Sequence, residues 1–320
     1  MTIFKPLNSG YDVKSLLPAI LVNLALGLMI IILFSFSGHI AAQQNIELSD
    51  ITVGEQNRQY RLFVPSPYDK SKSMPLVLNF HGTSGTPAQQ VEISDLETLA
   101  EQQGFIAVSP AAVYRREPEG PNTWNVDKDP LGVDDVFFVK SLIAQLKQQY
   151  NIDDRRIYAM GFSGGARMSS RLACDLSAQI AAIGPVAGLR YPEDCQPARA
   201  VPVITFHGKQ DGVNHYVARE NSPPYWRMGV EPALKGWLDN NHCTKQAQKT
   251  DLAEQVTRLT YSQCQDQGDV VFYQSATAGH TWPGSKVADK LASYGLGATD
   301  KYIVATELIW TFFKAHPLPQ

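Results

Sequence analysis

The chain has 320 residues, 44% hydrophobic and 18% charged, a composition that supports one large globular core. Its formal net charge of -3 leaves no electrostatic footprint for nucleic acid. There is no internal repeat, low-complexity tract or long Pro/Gly/Ser linker, so repeat architectures and a second linked module are not expected.

The first element in chain order is apolar. Leu16 to Phe36 is an uncharged run of 21 residues with Lys5 and Lys14 before it. Such a segment directs export, and its length suits a long signal peptide or an uncleaved anchor. Ile40-Ala41-Ala42 is a poor cleavage site, because neither His39 nor Ile40 is small. Either outcome keeps the positive residues inside and the remainder outside the cytoplasm. The expected organisation is residues 1–42 as signal peptide or anchor and residues 43–320 as one domain.

Strand and helix signals then alternate. Tyr60 to Val64 and Leu76 to Phe80 read as strands, the second running into His81-Gly82-Thr83-Ser84-Gly85 and a helical stretch from Ala88 to Gln103. Phe105 to Ser109 is a strand. From Asp135 to Tyr150, Val136, Val139, Leu142, Ile143 and Leu146 recur at helical spacing. Ile157 to Met160 is a strand that enters Gly161-Phe162-Ser163-Gly164-Gly165, followed by a helix from Ala166 to Leu176. Ile180 to Val186, Val203 to Phe206 and Val270 to Tyr273 complete the strands, and Lys301 to His316 forms the last helix. This alternation predicts an α/β fold, a mostly parallel central sheet with helices on both faces.

The chemistry sits at the strand ends. Gly-x-Ser-x-Gly between a strand and a helix is the context of a nucleophile elbow, where a strained turn lifts the serine hydroxyl clear of the sheet. Val203 to Phe206 continues into His207-Gly208 and a turn carrying Asp211, and the last strand leads to Gly279-His280-Thr281-Trp282-Pro283-Gly284. The order Ser163, Asp211, His280 is that of nucleophile, acid and base in an α/β-hydrolase fold, and each lies just past a strand. The implied chemistry is acyl transfer, with Ser163 as nucleophile, His280 as base and Asp211 holding the imidazole. The oxyanion falls to the backbone N–H groups of Thr83 and Gly164. This set calls for no cofactor and no metal.

Neighbouring residues have competing roles. His81 and His207 each precede glycine at a strand end and are taken as structural. Asp134 and Asp135 cap or open the following helix rather than serving as the acid. Trp124 and Trp282 could line the substrate pocket or serve as local packing. Four cysteines and no Cys-x-x-Cys pair fit an oxidising compartment. Of three connectivities, the local one is favoured, Cys174 with Cys195 and Cys243 with Cys264, each closing a loop of about 20 residues. Four reduced core cysteines are the alternative.

Taken together, His81-Gly82-Thr83, Val133-Asp134-Asp135-Val136-Phe137, the elbow, the His207 to Asp211 turn and His280-Thr281-Trp282-Pro283-Gly284 carry a resemblance. They look like the secreted esterase family that includes polyhydroxybutyrate depolymerases, feruloyl esterases and acetylxylan esterases, over roughly residues 45 to 318. One departure is Gly164, where members commonly carry Asn or Ala. The resemblance implies an exported serine esterase, secreted or tethered by its N-terminal segment, that acts on feruloyl or acetyl esters of plant polysaccharide or on hydroxyalkanoate oligomers. Alternatives are a polyhydroxybutyrate depolymerase, a peptidase, or a catalytically silent binding protein of the same fold. The expected partner is the ester substrate, with membrane contact only through an uncleaved N-terminus. Residues 112–132 and 213–230 carry no pattern that translates into a pocket shape.

Overall fold

The structure, a computed structural model, describes residues 48–243 and 246–320. The export segment Leu16 to Phe36, the Ile40-Ala41-Ala42 site and the boundary at residue 43 lie outside these residues. Among the described residues, no helix is long and apolar enough to cross a membrane.

Ten strands among these residues form one sheet: β1 (Leu48–Val53), β2 (Gln56–Phe63), β3 (Met74–Phe80), β4 (Ile106–Pro110), β5 (Ile152–Phe162), β6 (Ile183–Val186), β7 (Val203–Gly208), β8 (Gln248–Ala253), β9 (Val256–Tyr261) and β10 (Val270–Ser275). Their spatial order is β1-β2-β4-β3-β5-β6-β7-β10-β9-β8. The centre, from β4 to β10, is parallel. An antiparallel hairpin closes each edge, β1 with β2 and β9 with β8.

Period-two alternation along the central strands builds two cores. Leu76, Leu78, Ile157 and Ala159 face one side, where they meet helices α3 (Asp135–Gln149), α4 (Gly164–Asp175) and α5 (Val230–Asn240) through Leu142, Met168, Leu172 and Trp237. Val77, Tyr158, Met160 and Phe206 face the other. There they meet α2 (Leu96–Gln103) and α7 (Ala305–Ala315) through Ala100, Ile309, Trp310 and Phe313. Such buried aromatic and aliphatic side chains contribute roughly 1.5–3 kcal/mol each.

The helix expected from Ala88 to Gln103 is two helices, α1 (Pro87–Ser94) and α2. Asp95 breaks it by adopting left-handed φ of 53° while its carboxylate accepts from the Thr98 hydroxyl at 2.7 Å. The strand expected from Ile180 begins at Ile183, and the final helix begins at Ala305 rather than Lys301. A short helix, α6 (Ala288–Ser293), precedes it. Cys174 is bridged to Cys195 and Cys243 to Cys264.

Candidate active site

The carboxyl ends of β3, β5, β7 and β10 converge on one crevice. Ser163 lies between β5 and α4 with φ of 54° and ψ of -111°, a conformation costly for a residue with a side chain. The flanking glycines make the turn possible. A Cβ on Gly165 would stand 2.0 Å from the Phe80 carbonyl oxygen, and one on Gly161 2.5 Å from the Gly165 carbonyl, so the strand and helix could not approach. The turn is fixed from the sheet by the Ser163 N–H, which donates to the Val186 carbonyl at 2.9 Å.

Thr83 and Gly164 come together beside this serine. A Cβ on Gly164 would stand 3.0 Å from the Thr83 nitrogen, so the position where members of the resembled family carry a side chain is here an approach point for the β3 loop. Gly164 is the first residue of α4, whose opening N–H groups have no intrahelical acceptor. The Thr83 hydroxyl is within 2.9 Å of the Thr123 hydroxyl, which ties the loop after β3 to residues 112–132.

Asp211 and His280 form a buried pair, with His280 Nδ1 2.7 Å from Asp211 Oδ2. The N–H groups of Val213 and Asn214 donate to Oδ1 at 2.8 and 2.7 Å. His207 Nε2 adds a contact to Oδ2 at 3.2 Å while also meeting the Asn214 carbonyl at 2.8 Å. Burial alone would push the Asp211 carboxyl up, but the hydrogen bonds from His207 and His280 outweigh it and hold the group well below the ordinary range. The His280 ring lies 4.9 Å from that of Phe162, the residue before the serine. Among the described residues the Ser163 hydroxyl makes no hydrogen bond, to this pair or to any other group.

The other candidates fall elsewhere. His81 is buried and satisfied, with Nδ1 at the Gly82 carbonyl (2.7 Å) and Nε2 accepting from the Ala112 N–H (3.0 Å). Asp134 caps α3 by accepting from the Phe137 N–H at 2.8 Å. Asp135 forms a buried ion pair with Arg58 at 2.7 Å. Neither tryptophan faces the crevice: Trp124 is fully buried against Phe80 with its N–H on the His81 carbonyl, and Trp282 is buried with its N–H on the Thr306 hydroxyl. Trp124 is left as packing, whereas Trp282 borders a separate cavity of about 210 Å³ with Ile93, Leu99 and Thr306. No group of three or more His, Cys, Asp or Glu side chains among the described residues could hold a metal ion.

With this geometry in view, residues 58–263, more than half of the chain, match the family described as esterase PHB depolymerase. The chain belongs to that family. It is 32% identical over 193 residues to a bifunctional acetylxylan esterase/xylanase of Neocallimastix patriciarum, covering 60% of this chain and 26% of that protein. It is likewise 32% identical over 191 residues to feruloyl esterase B of Piromyces equi, covering 56% and 35%. The chain thus spans about a quarter to a third of these curated relatives. An acetyl xylan esterase from Aspergillus awamori superposes with a TM-score of 0.54 at 16% identity, covering 78% of this chain and all of that one, which shows the α/β-hydrolase type of fold.

Two cavities are relevant in this family member, the first of them beside Gly82, Thr83 and Phe162. One of about 230 Å³ is lined by Gly82, Thr83, Ile93, Phe162, Leu291 and Leu296. The other, about 720 Å³, lies between residues 112–132 and 213–230, with Asp127, Arg190, Tyr225 and Trp226 on its walls. Of these residues, sequence reasoning assigned only Thr83, to the oxyanion hole, and none to a substrate pocket. The one available signal was Arg167 and Arg171, two cations one turn apart among Gly164, Gly165, Ala166, Met168, Leu172 and Ala173 on the helix that follows Ser163.

Proposed function

We propose that this domain hydrolyses carboxylic esters through Ser163. The observation that carries the reading is the buried His280–Asp211 pair, 2.7 Å apart, beside a serine in the strained turn of an elbow. Ser163 Oγ attacks the ester carbonyl as His280 takes its proton, and Asp211 holds the imidazole in the tautomer that can accept it. The Thr83 and Gly164 N–H groups receive the oxyanion, each donor worth ~3 kcal/mol of barrier. His280 returns the proton to the leaving alcohol. Water, deprotonated by the same histidine, then attacks the acyl-enzyme and releases the acid with Ser163 restored. Catalytic hydrogen bonds of this kind are often unformed without substrate and tighten in the complex.

The relatives' names favour feruloyl or acetyl esters of plant polysaccharide as substrates, and the family description favours hydroxyalkanoate oligomers. Two disulfides support an oxidising compartment, periplasmic or extracellular. A panel of 4-nitrophenyl acetate, feruloylated and acetylated xylo-oligosaccharides and hydroxybutyrate oligomers tests the reading. Ser163→Ala is expected to lower turnover of every hydrolysed member by about 10⁴-fold or more with unchanged melting. Substantial activity in a clean preparation of that variant removes Ser163 from the mechanism.

A further inference from the structure

Arg167 lies one turn along α4 from Ser163, whose carbonyl accepts its N–H at 3.1 Å. Only 2% of the residue is exposed, and Nε and Nη1 are buried without any hydrogen-bond partner among the described residues. Its one partner is the ring of Tyr225, with the guanidinium carbon 4.6 Å from the centroid, and Tyr225 lines the 720 Å³ cavity. A second guanidinium, that of Arg116, lies 5.1 Å from the same ring.

The surrounding charges do not balance. The nearest carboxylate, Asp127, is engaged by Arg190 at 2.6 Å and Arg116 at 3.1 Å. Arg171 and Lys128 are neutralised together by Asp194 and Asp175. Arg116, Arg167 and Arg190 therefore share one carboxylate. Burial pushes Arg167 down to about 10, Tyr225 acts upward against it, and Arg116 and Arg190 add smaller downward effects, so it stays cationic at neutral pH. A buried charge with unfilled donors is costly, and a bound anion removes that cost.

Both walls of the cavity lead back to the proposed chemistry. Thr123, four residues before Asp127, bonds Thr83, and the Trp226 ring stacks at 5.7 Å on His207, which contacts Asp211. We propose that Arg190 on the cavity wall, with Arg167 and Arg116 against the ring of Tyr225 behind it, forms a carboxylate-binding subsite, so that the preferred ester carries a free carboxylate on the portion occupying this cavity. The planar guanidinium fork matches two carboxylate oxygens. This inference rests on the esterase reading above. The carboxylate could belong to a uronic acid of an acidic oligosaccharide or to the terminal acid of a hydroxyalkanoate oligomer.

Matched pairs separate these sources. One pair is an acetylated xylo-oligosaccharide with and without a glucuronic acid branch; the other is a hydroxybutyrate oligomer and its methyl ester. For the unaltered protein at low salt, kcat/KM is expected to favour the acid of at least one pair by about tenfold or more. That preference falls toward unity in Arg167→Met and is reduced in the exposed-site variant Arg116→Gln. Since loss of a buried arginine can prevent folding, competition is also measured on the unaltered protein: free glucuronate or 3-hydroxybutyrate should inhibit 4-nitrophenyl acetate hydrolysis competitively. Hydrolysis of neutral esters with no acid preference in either pair, or inhibition by inorganic phosphate alone, overturns the subsite. Failure to hydrolyse any ester overturns the esterase reading itself.

Discussion

Asp211 accepts from two backbone N–H groups and faces two histidines, which is what lets a buried carboxylate remain charged. With Asp211 as the acid, Asp211→Asn leaves the shape intact but offers an N–H to His280 and favours the wrong tautomer. Turnover is expected to fall by about 10⁴-fold with little change in stability. Asp135→Asn has the opposite signature: it leaves Arg58, 1% exposed, without its charge partner, costing about 3 kcal/mol in denaturant unfolding while turnover stays near normal. Exchange of the two phenotypes would move the acid to Asp135. His207 is a positioning residue here. Its replacement by Phe removes a donor from Asp211, so the carboxyl protonates at higher pH and the acid edge of the kcat profile should move upward; an unmoved edge would leave His207 a packing residue only. The strand-end positions of Ser163, Asp211 and His280 were legible because each follows an apolar strand. The His207 contact was not, since nothing in a strand-end His-Gly says which acid its ring will meet.

Element formation was legible wherever burial writes a pattern. The central strands are apolar runs and α3 shows helical spacing beneath an Asp134 cap. The edge hairpins are not: β8, Gln248–Ala253, is mostly exposed and polar, and its pairing with β9 comes from backbone hydrogen bonds that leave no side-chain signature. Pro232 and Gly236 likewise conceal α5, whose buried face is Val230, Ala233, Leu234 and Trp237. One element links the proposed chemistry to its cavity. Helix α4 follows Ser163, carries Arg167 and Arg171, and ends where Cys174 is bridged to Cys195, one residue beyond Asp194 on the cavity wall. Non-reducing peptide maps should recover Cys174 with Cys195 and Cys243 with Cys264. Replacing Cys174 and Cys195 together by Ala should cost about 3 kcal/mol, the loop-entropy value for a separation of 21 residues. Free thiols at all four positions in exported protein would contradict both expectations.

Across the whole molecule, the parallel centre sets the crevice, and loops distant in sequence give it character. Residues 112–132 and 213–230 meet only after the sheet has formed, which is why Tyr225 against Arg116 and Arg167 has no local sequence signal. The same convergence buries His81 under residues 112–132. Its Nδ1 proton is directed to the Gly82 carbonyl and its Nε2 lone pair faces the Ala112 N–H, so a second proton would meet a donor. Burial lowers its pKa to about 4, against a smaller upward effect of the Gly82 carbonyl. An unfolded-state histidine titrates near 6.5, so below that pH the unfolded chain binds a proton that the folded protein refuses. Stability is then fully present above about pH 6.5 and declines as pH falls toward 4, by about 3 kcal/mol from this group. The loss belongs to folding as a whole, because His81 sits between the central sheet and the loop over it. Denaturant unfolding of the protein and of His81→Gln, followed from pH 7.5 to 4.5, isolates it. The variant should be less stable at pH 7.5, and the gap should narrow as the pH drops; a gap constant with pH would mean that His81 accepts its proton in the folded state.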